Sequence, residues 1–134
     1  YMLLKGKKFS LEGGGKVKKS FMHCRDIAEA IYLMIHKGKM GETYNAGVDI
    51  PISMREIIEI VVKNLNQKFD DVVIQTPGRI GEDAQYWLDS KKLSDATGWA
   101  PKITIEDGIK ETVKWVKDNI DNFENENLDF LLRA

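Results

Sequence analysis

Lys19-Ser20-Phe21-Met22-His23-Cys24-Arg25-Asp26-Ile27-Ala28-Glu29-Ala30 changes its hydrophobic period in mid-course. Up to His23, Lys19, Phe21 and His23 alternate with Lys18, Ser20 and Met22, the two-residue period of a strand. Beyond it, Ile27, Ala30, Ile31, Met34 and Ile35 recur at helical spacing and form one apolar stripe. Asp26 is expected to cap this helix, with Glu29 three residues on in a variant of the capping box. Gly38 is expected to stop it. A strand that turns into a helix over so short a stretch sets the class: a mixed α/β chain with α+β character.

Upstream, residues 1–12 read as an extended entry. Gly13-Gly14-Gly15 reads as a turn, because glycine accepts the positive φ that tight turns demand. With residues 17–23 extended, residues 9–23 are predicted to form a hairpin. Downstream, residues 43–46 read as a short strand ending at Gly47. Ser53 and Glu56 form a second capping box, ahead of a helix carrying Met54, Ile57, Ile58, Val61, Val62 and Leu65. Val72, Val73 and Ile74 make a β-rich run, broken at Thr76-Pro77-Gly78, and residues 79–86 read as a loop. Ser90 starts a short helix that ends at Gly98. Thr104 caps the last long helix, whose inner face is Ile105, Ile109, Thr112, Val113, Val116 and Ile120. Such strands are too few and too short for a complete doubly wound sheet. Residues 1–121 are expected to form one domain. Residues 122–134 are expected to be a polar tail, with Phe130, Leu131 and Leu132 as a docking end.

Composition narrows the function. A chain of 134 residues fits one domain, and 43% apolar with 31% charged residues is the profile of a soluble globular protein. The net charge of -1 gives no excess of basic charge for nucleic acid. Lys5, Lys7, Lys8, Lys16, Lys18 and Lys19 crowd the start, either as a solvated face or as a local attraction for phosphate. No run approaches the roughly 20 apolar residues of a membrane span, and no signal-peptide pattern occurs. A cytoplasmic protein without membrane contact is expected. Cys24 is the single cysteine, so an intrachain disulfide is excluded, and a buried structural thiol is expected.

No self-sufficient active site is legible. His23, His36 and Cys24 do not make a zinc spacing. A dinucleotide cradle needs Gly-x-Gly-x-x-Gly opening a helix, whereas Gly13-Gly14-Gly15-Lys16-Val17-Lys18 leads into a strand. No residue is therefore assigned a catalytic, metal-binding or cofactor-binding role. Arg79 is more suggestive. It lies in Pro77-Gly78-Arg79-Ile80-Gly81-Glu82-Asp83, a loop on which a guanidinium can fork onto phosphate oxygens. An ordinary surface arginine fits the same residues. Lys19 could add a point charge.

Four stretches together resemble a known family. The Gly13–Gly15 triplet followed by residues 19–30 is similar to the stretch that crosses between domains in extended short-chain dehydrogenases/reductases, the NAD-dependent epimerase/dehydratase family. Gly41-Glu42-Thr43-Tyr44-Asn45-Ala46-Gly47 resembles its GE-x-YN-x-G strand. Arg79-x-Gly81-x-Asp83-x-x-Tyr86 resembles the RPGHDRRY-type loop of nucleotide-sugar 4,6-dehydratases acting on dTDP- or CDP-glucose. Gly98-Trp99-x-Pro101, with residues 104–116, resembles the family's ending. The resemblance covers roughly residues 5–120 in order. It implies the C-terminal, substrate-side part of such an enzyme, with a small substrate domain and elements that pack on a Rossmann domain outside this chain. It implies that Arg79 contacts the diphosphate of a nucleoside-diphosphate sugar, with Lys19 and Asp83 as further substrate-binding residues. Lys19 stands where most relatives have arginine. NAD and a Tyr-x-x-x-Lys pair are then expected in the full-length enzyme rather than here. The chain is expected to pair with that Rossmann domain or a complementary subunit, or to self-associate. A stand-alone nucleotide-sugar-binding module and a non-catalytic interaction domain are the alternatives.

Overall fold

In the computed structural model, residues 1–123 are described. The expected docking of Phe130, Leu131 and Leu132 lies outside the described residues. Strands β1 (Phe9–Glu12), β2 (Lys18–Lys19), β3 (Ile52–Ser53), β4 (Val73–Thr76) and β5 (Gln85–Tyr86) are all short. Helices α1 (Cys24–Lys37), α2 (Met54–Asn64) and α5 (Ile105–Asp118) are long, and α3 (Phe69–Val72) and α4 (Lys91–Thr97) are brief.

The strands form two small sheets. β1 runs parallel to β4, from Phe9 opposite Val73 to Glu12 opposite Thr76. β2 lies between β3, antiparallel to it, and β5, parallel to it, with Lys19 opposite both Ile52 and Tyr86. The predicted hairpin over residues 9–23 is therefore not formed. Gly13, Gly14 and Gly15 do make a turn, with φ of 57°, 68° and 67°. It is a 3-10 turn that hands the chain from one sheet to the other instead of reversing it. Burial decides the pairing. Leu11 of β1 and Val73 of β4 both enter a core with Leu3, Ile58 and Val62. The turn is also packed tight: a Cβ on Gly15 would lie 2.7 Å from the backbone nitrogen of Arg55. Residues 2–5 wind a 3-10 turn rather than the expected extended entry, and Leu3 is buried in that core.

A second core gathers Ala30, Leu93 and Trp99, with Leu33, Met34, Tyr44 and Ala46 packed against it. Trp99 is 2% exposed, and its indole nitrogen donates to the Asp26 carbonyl at 3.0 Å. The Asp26 carboxylate is buried and accepts the backbone N–H of Ile103 at 3.0 Å. Asp26 is thus not the helix cap. α1 begins earlier, with His23 at the N-cap accepting from the backbone nitrogen of Arg25 at 3.3 Å. Asp26 instead satisfies a backbone donor of the segment that leads into α5, which the local pattern could not reveal. Cys24, expected to be buried, is exposed on the first turn of α1.

The other helix ends follow the local chemistry. The Ser53 hydroxyl accepts from the Glu56 backbone at 3.1 Å while the Ser53 backbone donates to the Glu56 carboxylate at 2.9 Å, a complete capping box. Thr104 caps α5 by accepting from the Asp107 backbone at 3.1 Å. Gly98 ends α4 with φ 77°. Ser90 precedes α4, yet its hydroxyl is spent elsewhere: it accepts from Gly47 N at 2.7 Å and donates to Gly47 O at 3.1 Å. Ser20 holds Val48 in the same two-sided way, at 2.9 and 3.2 Å. These side chains tie down the segment that contains residues 43–46. That segment is not the expected strand, because none of the five strands pairs with it.

The α1 stripe divides. Ala30 and Met34 turn toward the second core, but Ile31 is 50% and Ile35 75% exposed, with Ile27 and Tyr32 exposed beside them.

Candidate functional site

The two sheets bring three separated parts of the sequence to one place. β1 ends at Glu12, β2 carries Lys19, and β4 runs out at Thr76 into the loop that holds Arg79. Parallel pairing sets Glu12 opposite Thr76, and the turns that follow touch, since a Cβ on Gly13 would lie 3.3 Å from the Cα of Gly78. The turn after β1 thereby fixes where the Arg79 loop leaves the sheet.

An open recess of about 180 Å³ lies here, lined among others by Glu12, Lys19, Met54, Arg79 and Glu82. Two of the three residues singled out from sequence, Arg79 and Lys19, are brought together in its lining. Lys19 is half-buried, and its ammonium sits 5.9 Å from the centre of the Tyr86 ring. Asp83 is exposed and is not part of that lining.

Arg79 does not stand alone. Its Nε lies 2.9 Å from Glu12 Oε2 in an ion pair, and its Nη2 donates to Glu82 Oε1 at 2.9 Å. Glu12 is the residue that sequence reasoning missed. Its only local signal is its place before the glycine triplet, and its partner comes from a loop that a non-consecutive strand pairing delivers. Where the RPGHDRRY-type pattern it resembles has His, Arg and Arg, this loop has Glu82, Ala84 and Gln85, so it carries less positive charge and one more carboxylate than that pattern.

The glycine triplet does not form a dinucleotide cradle. Gly13–Gly15 is followed by β2, not by a helix, and the buried Gly15 is pressed against Arg55 and Leu11, leaving no cradle for a pyrophosphate. Tyr1 and Lys5 have the Tyr-x-x-x-Lys spacing, but the Tyr1 ring packs on Phe123 at 5.5 Å. Among the described residues, no group of three or more His, Cys, Asp or Glu side chains could hold a metal ion. No helix among them is long and apolar enough to cross a membrane.

Residues 2–112 match the family described as GDP-mannose 4,6 dehydratase. The dTDP-glucose 4,6-dehydratase 1 of Escherichia coli K12 is 30% identical over 123 residues, which are 87% of this chain and 34% of that protein. The chain thus spans about a third of the length of the curated relatives it matches. Among solved structures, dTDP-glucose 4,6-dehydratase from Bacillus anthracis in complex with NAD superposes with a TM-score of 0.81 at 32% identity, over 90% of this chain and 38% of that one. The dTDP-glucose 4,6-dehydratase of Streptomyces venezuelae, also solved with NAD, gives 0.84 at 29% identity, over 92% and 38%.

Proposed function

Since this chain belongs to the GDP-mannose 4,6-dehydratase family, we propose that it is the substrate-recognition part of an NAD-dependent nucleotide-sugar 4,6-dehydratase or epimerase, and that it works in the cytoplasm. The convergence of Arg79 and Lys19 on one recess carries this reading. A guanidinium grips phosphate oxygens in a fixed fork, and an ammonium nearby adds a point charge. A nucleoside diphosphate suits this pair of cations, and Asp83, on the same loop, is a further substrate-binding residue in this reading. In this reading NAD sits on a Rossmann domain outside this chain, which the absence of a cradle at the glycine triplet supports. The test is calorimetric titration of a nucleoside diphosphate. Arg79→Ala is expected to weaken binding by about 1.5–3 kcal/mol, the range for hydrogen bonds to charged groups. Arg79→Lys is expected to recover only part of that. Equal affinities of wild type and Arg79→Ala remove the assignment.

The exposed side of α1 supports the partner half of the reading. Ile27, Ile31, Tyr32 and Ile35 line one helical face that the described residues cover only in part, leaving them 36–75% exposed. Contiguous apolar surface of this kind marks an interface. Its partner in the complete enzyme is the cofactor-binding domain, and in its absence a second copy of this chain.

A further inference from the structure

Arg79 is held by acids. Its Nε and Nη2 lie on the same lateral edge of the guanidinium, one of the two edges on which the group forks onto a phosphate. Each of these nitrogens is taken by a different carboxylate, Glu12 on one and Glu82 on the other, both at 2.9 Å. The carboxylates are better anchored than the cation: their side chains are 33% and 22% exposed, against 50% for Arg79. Glu12 ends a strand in register with β4, and Glu82 follows Gly81, whose φ of 80° bends the loop back on Arg79. Formal charge in the recess also cancels, with Lys19 and Arg79 against Glu12 and Glu82.

We propose that Glu12 and Glu82 are an internal competitor for phosphate, so that a diphosphate enters only as Arg79 changes partners from carboxylate to phosphate. The proposal rests on the reading of the recess as a diphosphate site and deepens it, by naming the two residues that set its affinity. A charge-assisted pair at this distance and exposure is weak enough to exchange, since surface ion pairs contribute little. A phosphate carrying more charge than a carboxylate can replace it. Until it does, the two acids repel the incoming anion and occupy one of the two edges on which it can fork.

The experiment uses the full chain and inorganic pyrophosphate, which removes any dependence on the nucleobase. Affinities are measured for wild type, Arg79→Ala, the double variant Glu12→Gln with Glu82→Gln, and the double variant with Arg79→Ala added. Glutamine keeps the shape of each acid and removes its charge, and melting temperatures verify the fold. The double variant is expected to bind pyrophosphate about tenfold tighter, equivalent to about 1.4 kcal/mol. Adding Arg79→Ala is expected to erase the gain. Each single glutamine variant is expected to give part of it. A second readout is the Arg79 Nε–Hε resonance, which reports the Glu12 contact directly. It is expected to move on pyrophosphate addition to wild type, and to start from a shifted position in Glu12→Gln. A double variant no tighter than wild type, or without binding, overturns the proposal. If in that case Arg79→Ala still weakens wild-type binding, the diphosphate site stands and only the competition is wrong. If Arg79→Ala changes nothing in either background, the site itself is wrong.

Discussion

Arg79 and Asp26 illustrate two ways in which a single charged residue is used. Arg79 is half-exposed in surface ion pairs, so its loss is expected to cost the fold little. Asp26 is buried, and its carboxylate is the acceptor for the Ile103 backbone donor. Removing the carboxylate strands that donor away from water. Asp26→Ala is therefore expected to cost about 1–3 kcal/mol of stability, the desolvation penalty of an unsatisfied partner. Urea unfolding followed by tryptophan fluorescence measures it directly, since Trp99 is bonded to the carbonyl of the same residue. A loss below the resolution of that measurement would show that the segment around Ile103 finds another acceptor.

At the scale of elements, α2 and α1 make separate predictions. The Glu56 carboxyl lies below its ordinary value of 4.5 because the Ser53 hydroxyl and backbone N–H bond to its charged form. A carboxylate with a depressed folded-state pKa contributes stability that is fully present above its unfolded value and is lost as pH falls through the folded one. Acidification from pH 7 to below the ordinary glutamate range is thus expected to weaken the Glu56 half of the α2 capping box, leaving the Ser53 hydroxyl bond to the Glu56 backbone in place. Wild type is expected to lose more melting temperature over that range than Glu56→Gln, whose side chain does not titrate. Parallel pH profiles of the two proteins refute this. Glu42, held low by the Lys92 ammonium, adds to the slope with the same sign. For α1, the exposed Ile31 lies at the middle of the unpartnered face. The chain is expected to self-associate with rising concentration in sedimentation, and Ile31→Glu to restore the monomer with an unchanged melt. A wild type that sediments as a monomer at all concentrations removes the partner reading of that face.

At the scale of the whole molecule, the proposed diphosphate residues lie on a chain whose glycine triplet runs into a strand and forms no dinucleotide cradle. Hydride transfer needs nicotinamide and sugar held together in one site. The described residues provide a recess lined by charged side chains and, apart from it, an exposed apolar face on α1. The purified 134-residue chain is accordingly expected to form no 4-keto product from a nucleotide sugar with NAD. Product above the rate of a no-protein control overturns that expectation.

Elements governed by near neighbours were legible in the sequence. The capping box of α2, the Thr104 cap of α5, the Gly98 stop and the glycine turn are closed within a few residues, and all four appear in the structure. The family was legible too, because motifs spread along the chain kept their order. Strand pairing was not. A strand of two to four residues carries too little pattern to name its partner, and distant burial chose it: Leu11 met Val73, and β2 slid between β3 and β5. The same rule separated the residues of the site. Sequence could nominate Arg79 and Lys19 by their chemistry. Only the parallel pairing of β1 with β4 could place Glu12 against the guanidinium, because an ion pair is decided by which backbones share a sheet, however far apart they are in the chain.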